Sequence, residues 1–329
     1  MIRAITRCRV DFAGGTLDIW PIGLLHAGSQ TVNVAVELPV TVELAPIDSG
    51  YVVRQSGAER RATGPAALLA DPESALVGRV VEELELPPVE IAIESASPRS
   101  AGLGASSALT AALIAAGEML RSGRLERSAE QRARLARDLE ARLMGLPTGC
   151  QDHLPAQLGG VVVVEHRAGG ERVRSLPVDL GALGAHLLVA YTGQSHFSAG
   201  NNWQVIRRRL EGDPEIVARL DAVRSAAARL PSALESGDWA AAGALVAREW
   251  EARRGLAPEI DTPRIARLLA LARELGGWGG KACGAGGGGC VAALVPADAR
   301  ARIAEAWSAE GALLLDAPPT ARGLEIEAR

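Results

Sequence analysis

Apolar and polar positions alternate most clearly in residues 31–44 (TVNVAVELPVTVEL) and 89–95 (VEIAIES). Both stretches read as strands with one face turned to a core. A shorter strand is expected between them, near residues 51–54. The period becomes helical at 76–84, at 106–120, where Ala, Leu and Ile dominate, and at 124–144, where arginines take the outer face. The unbroken run GVVVVE at 160–165 predicts a buried strand. Residues 167–184 predict a hairpin turn and a connection, which places a domain boundary near residue 180. Beyond it come a strand at 186–191 (HLLVAY) and helices at 199–209, 214–229, 239–254 and 263–275. A strand at 290–295, a helix at 297–310 and short strands near 313–315 and 323–327 close the chain. This order is α+β in both halves, residues 1–180 and 181–329, without the regular strand–helix alternation of a doubly wound parallel sheet.

Two segments break these periods. In residues 97–109 (SPRSAGLGASSAL), Gly102 and Gly104 remove side chains where a ligand would approach the backbone, just before a helix start. The backbone from Ser100 through Ala101, Gly102, Leu103, Gly104, Ala105, Ser106 and Ser107 can then offer unpaired N–H groups and the positive end of a helix dipole to a polyphosphate. Ser106 and Ser107 add hydroxyls for phosphate oxygens or Mg²⁺. The plainer reading is a helix capped by Ser106 after a turn. Walker A is excluded, because the segment has no lysine. The second segment, residues 276–290 (GGWGGKACGAGGGGC), holds nine glycines in fifteen residues, too many for an ordinary strand or helix. A flexible linker is one reading. Close approach of backbone to a ligand or to another backbone is the better one, since the segment runs into the core-like CVAALV. Lys281 within it is the only lysine among 35 basic residues. A Rossmann-type dinucleotide site on GAGGGG is a weak rival, since no helix opens on it.

Candidate acids are Glu140, near a helix end, and Asp152, in the following loop with His153. They are either two solvated surface acids or a division of labour, one holding Mg²⁺ and the other receiving a hydroxyl proton. At the N-terminus RVDFAGGTLD places Arg9, Gly15, Thr16 and Asp18 around a Gly-Gly turn. Asp18 suits the hydroxyls of a polyol and Arg9 suits a phosphate. A net charge of −4 gives no broad footprint for nucleic acid or acidic lipid, and 3% aromatics leave few stacking platforms. Four cysteines without a C-x-x-C pair argue against a zinc ribbon or a redox dithiol. The first residues form no secretory signal and no stretch reads as a membrane span, so a cytoplasmic protein is expected.

These four stretches follow the order and spacing of motifs in the GHMP kinase superfamily, which includes galactokinase, homoserine kinase, mevalonate kinase and phosphomevalonate kinase. SPRSAGLGASSAL resembles the family's P-x-x-x-G-L-G-[SA]-S-S-A phosphate loop, and GGKACGAGGGGC resembles its C-terminal glycine motif. RVDFAGGTLD is similar to the N-terminal substrate motif, and PTGCQDHLPAQLGG to the loop that carries the catalytic aspartate. The resemblance implies an N-terminal domain like ribosomal protein S5 domain 2 and a ferredoxin-like C-terminal domain, with ATP and the acceptor between them. It implies Mg²⁺ on Ser107 (or Ser106) and Glu140, Asp152 as base beside the acceptor hydroxyl, and Gly286 and Gly287 at the substrate. FAGGT, GCQD and Tyr191-Thr192-Gly193 look most like the sugar-kinase branch with D-glycero-D-manno-heptose 7-phosphate kinase and fucokinase. A sugar or sugar phosphate is then the expected partner, with a homodimer as an open option. Two departures stand out: Leu17 separates Thr16 from Asp18, and His196 stands where that branch often has an arginine. His196, Ser198, Asn201 and Asn202 match hydroxyls better than a phosphate dianion.

Overall fold

The computed structural model describes residues 1–195 and 199–328. The elements run β1 (Ile2–Ala13), α1 (Ile22–Leu25), β2 (Gln30–Pro46), β3 (Tyr51–Gln55), β4 (Ala58–Ala62), α2 (Pro65–Ala70), α3 (Ala75–Glu83), β5 (Val89–Ser95), α4 (Ala105–Ser122), α5 (Ala129–Met144) and α6 (His153–Leu158). They continue through β6 (Val161–Arg167), β7 (Gly170–Leu176), α7 (Leu180–His186), β8 (Leu187–Tyr191), α8 (Ala199–Leu210), α9 (Pro214–Glu235), α10 (Trp239–Arg253) and α11 (Pro263–Glu274). The last are β9 (Gly279–Ala282), β10 (Cys290–Leu294), α12 (Ala297–Ala309), β11 (Leu313–Leu314) and β12 (Glu325–Ala328).

An eight-stranded sheet has the path β12-β1-β2-β5-β3-β4, with β6 on the other stretch of β2 and β7 beyond it. The long strand β2 makes this branching possible: residues 30–34 pair with β6, residues 40–46 pair with β5, and β1 runs along its other edge. A four-stranded antiparallel sheet, β11-β8-β10-β9, forms the second layer system. The change of sheet falls between Leu176 and Leu187, on either side of residue 180. The chain then crosses back, because β12 pairs with β1.

Helix α4 is apolar on nearly every side and is buried continuously from Ser107 to Glu118, as a helix enclosed by other elements must be. It lies against β1, where Thr6 Oγ1 donates to the Ala108 carbonyl at 2.8 Å. Helix α10 packs on both sheets, against β1 on one side and β9 and β10 on the other. It therefore brings its buried Glu249 and Arg253 to the junction between them. A capping box at Ser128 and Gln131 starts α5, later than the expected start near residue 124. The glycine-rich segment contains a strand after all: β9 pairs with β10, with Lys281 opposite Ala292. Its glycines are tolerated there because α10 presses on it. A Cβ at Gly279 would lie 2.0 Å from the Gly243 carbonyl oxygen. The elements β4, α2, α6, β7 and α7 were also beyond the pattern in the sequence.

Candidate active site

The segment 97–109 folds as a loop running into α4. Gly104, at φ +71°, takes the N-cap position, and no side chain caps the helix. The reading of Ser106 as the cap is thus replaced. Ser106 lies within the first turn, its carbonyl accepting a hydrogen bond from Thr110 Oγ1 at 3.0 Å. The first-turn amides are left to a ligand instead of a side chain. Ser100, at φ +53°, and Thr16, at φ +76°, are non-glycine residues in the left-handed region, and such strain collects at functional sites.

This loop separates two cavities. One, of about 380 Å³, lies where the two sheets meet. It is lined by the whole of Ser100–Ser107, by Arg9, Thr16, Asp18, Glu140 and Asp152, and by Asn202, Arg253, Gly284 and Ala285 from the second half. The other, of about 1060 Å³, shares Ser100, Ala105 and Ser106 with the first. It opens between the β3–β4 turn (Gln55, Ser56, Gly57), Ile93 and Leu109. The β3–β4 turn had no motif to announce it.

Two acid clusters flank the smaller cavity. Glu140 Oε1 accepts from Thr110 Oγ1 at 2.9 Å and Oε2 from Ser107 Oγ at 3.2 Å, while buried His153 brings Nε2 to 3.2 Å from Oε2. Burial opposes a charge on His153, but the Glu140 carboxylate more than offsets it and raises the imidazole pKa. Glu140 and Ser107 supply hard oxygen donors to one point, a set that fits Mg²⁺ with phosphate oxygens as further ligands. No group of three or more His, Cys, Asp or Glu able to hold a metal exists among the described residues, so a metal here would depend on the nucleotide for the rest of its shell.

Asp152 is held by Arg9, whose Nε and Nη2 reach Oδ1 at 2.8 and 2.6 Å. Arg9 Nη1 donates to the Gly102 carbonyl at 2.6 Å. The guanidinium expected to steady a phosphate is thus committed to the aspartate and to the Gly102 carbonyl. Asp18 is 9% exposed and accepts the Gln151 amide at 3.2 Å. Gly149 has no side chain because a Cβ there would lie 1.6 Å from Asp18 Oδ2. Burial first, and then the Asp152 charge, push the Asp18 carboxyl up to about 6.

Other expected residues fall elsewhere. A Cβ on Gly15 would strike the Arg253 guanidinium at 2.0 Å, so Gly15 makes room for an arginine. Gly286 and Gly287 pack on the Ile260 carbonyl, which accepts the Gly287 amide at 2.8 Å. The cavity receives Gly284 and Ala285 in their place. His196 and Ser198 lie outside the described residues, as does the side chain of Asn201, while Asn202 lines the cavity. Sequence reasoning missed Arg253, which lines the cavity, and the fully buried Glu249 and Asp11 behind it, which do not. Asp11 stood in a quoted motif, whereas the two α10 residues carried no local signal.

A helix start without a side-chain cap thus stands between two cavities, with an arginine-paired acid and a serine-bound acid beside the smaller one. The domain description "GHMP kinases N terminal domain" matches residues 74–160, and "GHMP kinases C terminal" matches residues 231–313. The chain is 30% identical over 247 residues to mevalonate kinase of Pyrococcus abyssi, covering 73% of this chain and 69% of that one. It is 23% identical over 340 residues to D-glycero-alpha-D-manno-heptose 7-phosphate kinase of Campylobacter jejuni, covering 98% of each. It is also 27% identical over 305 residues to a bifunctional fucokinase/GDP-fucose pyrophosphorylase of Arabidopsis thaliana, spanning 85% of this chain but only 28% of that protein's length. Among solved structures, a D-glycero-D-manno-heptose 1-phosphate kinase from Bacteriodes thetaiotaomicron superposes with a TM-score of 0.81 at 18% identity, covering 100% of this chain and 99% of that one. The protein belongs to the GHMP kinase family, whose members are phosphotransferases. No helix among the described residues is long and apolar enough to cross a membrane.

Proposed function

We propose that the protein transfers the γ-phosphoryl group of ATP to a hydroxyl of a sugar or sugar phosphate. The observation that carries this reading is the phosphate loop standing between the two cavities. The larger one suits the nucleoside, the Ser100–Ser107 backbone suits the phosphates, and the smaller one, with Asp152, suits the acceptor. Both Arg9 bonds fall on Asp152 Oδ1, so Oδ2 is available to receive or orient an acceptor hydroxyl proton. Glu140 and Ser107 would hold a magnesium ion, which when bound would offset negative charge on the phosphates. Catalysis then rests on positioning and charge stabilisation.

A sugar acceptor is supported by the relative that matches end to end, the heptose 7-phosphate kinase, at 98% of both chains. The mevalonate kinases match over less of the chain, 73% for the Pyrococcus abyssi protein, and keep a non-sugar alcohol as the second reading. Arg253 in the cavity wall is 2% exposed and is already held by Glu249 and the Gly284 carbonyl, so it does not decide between a sugar and a sugar phosphate.

The test is ADP release from MgATP with hexoses, heptoses, their phosphates and mevalonate. Turnover with a sugar or sugar phosphate is expected. Turnover with mevalonate alone would move the protein to the second reading, and turnover with none would overturn both.

A further inference from the structure

Six charged groups form one line through the junction between the two sheets: Asp152, Arg9, Asp11, Lys281, Glu249 and Arg253. Lys281 Nζ lies 2.8 Å from Asp11 Oδ2 and 3.0 Å from Glu249 Oε1, and all three side chains are 0% exposed. Asp11 Oδ1 accepts the Gly284 amide at 2.8 Å and sits 3.6 Å from Arg9 Nη1. At the far end Arg253 reaches Glu249 at 3.5 Å and the Gly284 carbonyl at 2.6 Å. The signs alternate along the line, three positive and three negative, so the set is neutral, and all of it is buried except Asp152, whose side chain is 26% exposed. Burial alone would raise the Asp11 carboxyl, but Lys281, then Arg9 and Arg253, bring it below its ordinary value.

Arg9 therefore faces two carboxylates, Asp152 at 2.6–2.8 Å and Asp11 at 3.6 Å. Its choice depends on Asp11 being satisfied by another cation. A buried carboxylate left without a partner is costly, and Arg9 is the nearest remaining cation to take that role. We propose that Lys281 is a positioning residue for catalysis. By holding Asp11 from the second sheet, it leaves Arg9 free to fix Asp152. The proposal rests on the phosphotransfer reading of Asp152.

The experiment compares Lys281→Met with the charge-balanced double variant Asp11→Asn/Lys281→Met. In the single variant Arg9 should swing to Asp11, and kcat should fall at least about tenfold while the KM for MgATP stays within about twofold. In the double variant two neutral pairs remain, Arg9 with Asp152 and Arg253 with Glu249, and most of the lost kcat should return. A crystal structure of each variant reads the Arg9 partner directly. The proposal is overturned if Lys281→Met keeps wild-type kcat, if Arg9 stays on Asp152 in its structure, or if the double variant is as slow as the single one. A wild-type protein without turnover on any acceptor would fail the phosphotransfer reading, and the Arg9 partner in the variant structures would still decide what Lys281 does. If the single variant does not fold, the double variant alone decides. It should fold with Arg9 on Asp152 and near-wild-type turnover, and low turnover with that pair intact would overturn the proposal.

Discussion

In residues 97–109 Gly104 holds the backbone open toward the smaller cavity, whereas Gly102, whose Cβ would lie 2.5 Å from the Cys283 carbonyl oxygen, joins the glycines of residues 276–290 in closing backbone onto backbone. A Cβ at Gly289 would meet the Ala101 carbonyl at 2.6 Å, one at Gly284 the Gly102 carbonyl at 3.0 Å, and one at Gly288 the Ser195 carbonyl at 2.9 Å. The second segment is thus a buried support for the first, tied to it by the Cys290 amide donating to Ala101 at 2.7 Å. At Gly104 a Cβ would meet mainly side chains, Asp152 at 3.2 Å and Arg9 at 3.4 Å. Similar composition lines a cavity in one place and packs against protein in the other. The neighbours of each glycine decide which.

Mutations can break that contrast. The largest effect is expected at Asp152, on the open side. Asp152→Asn should lower kcat about 10²- to 10⁴-fold with little change in melting temperature. Steady-state kinetics and a melt check this, and a loss of less than about tenfold would remove Asp152 from the role of base. Next comes the support. Gly289→Ala forces an L-residue to φ +75° against a carbonyl, and should cost about 3 kcal/mol or more of stability. Gly104→Ala, at a similar φ but facing side chains, should cost about 1–2 kcal/mol while impairing turnover. Denaturant unfolding of both separates support from site, and equal losses would erase the distinction.

A third effect depends on pH. The folded Asp18 carboxyl is pushed up to about 6 from an ordinary value of 3.8, so the folded state prefers its protonated form. The penalty for ionising it sets in as pH rises through the unfolded value and is complete above about pH 6. Asp18→Asn should therefore stabilise the protein at pH 8, by roughly 3 kcal/mol at most, and leave stability at pH 3 nearly unchanged. Melts at both pH values check the sign. A gain that is the same at both would refer the effect to packing. The smallest effect is expected at Ser107→Ala, which removes one oxygen from the Glu140 pair. Its cost should be about 1–1.5 kcal/mol, read as a smaller melting shift on addition of MgATP.

Much of this organisation was legible in the sequence because it depends on local pattern. Alternation located β5, apolar Ala and Leu located α4, and the helix start after Gly104 pointed to an anion site. Glu140 and Asp152 were legible as acids beside a loop break. The partners of each charge were not. Arg9 reads equally well as a phosphate ligand until the fold brings Asp152 beside it. Arg253 and Glu249 look like ordinary residues of a surface helix until α10 is placed between two sheets. Lys281 was noticeable by its rarity, but only pairing with Asp11 from the other end of the chain gives that rarity a physical meaning. The sequence also could not show that Gly286 and Gly287 pack on the Ile260 carbonyl, since a glycine that admits a ligand and one that admits a backbone carbonyl read alike.

The return of β12 to β1 bears on how the chain comes into being. Ile2–Ile5 leave the ribosome before the strand that covers them, and that strand, running antiparallel from Glu325 to Ala328, appears only after both glycine-rich segments and the described helices. Throughout that interval one margin of β1 carries unsatisfied N–H and C=O groups that a foreign strand could pair with. Arg3 and Arg7 stand on this margin. In the finished fold Arg3 meets Glu43 and Glu327, and Arg7 meets Glu37 and Glu325. Glu37 and Glu43 come from β2 soon after β1, so each arginine has one partner through that interval and gains its second, Glu325 or Glu327, only when the C-terminal strand covers the margin.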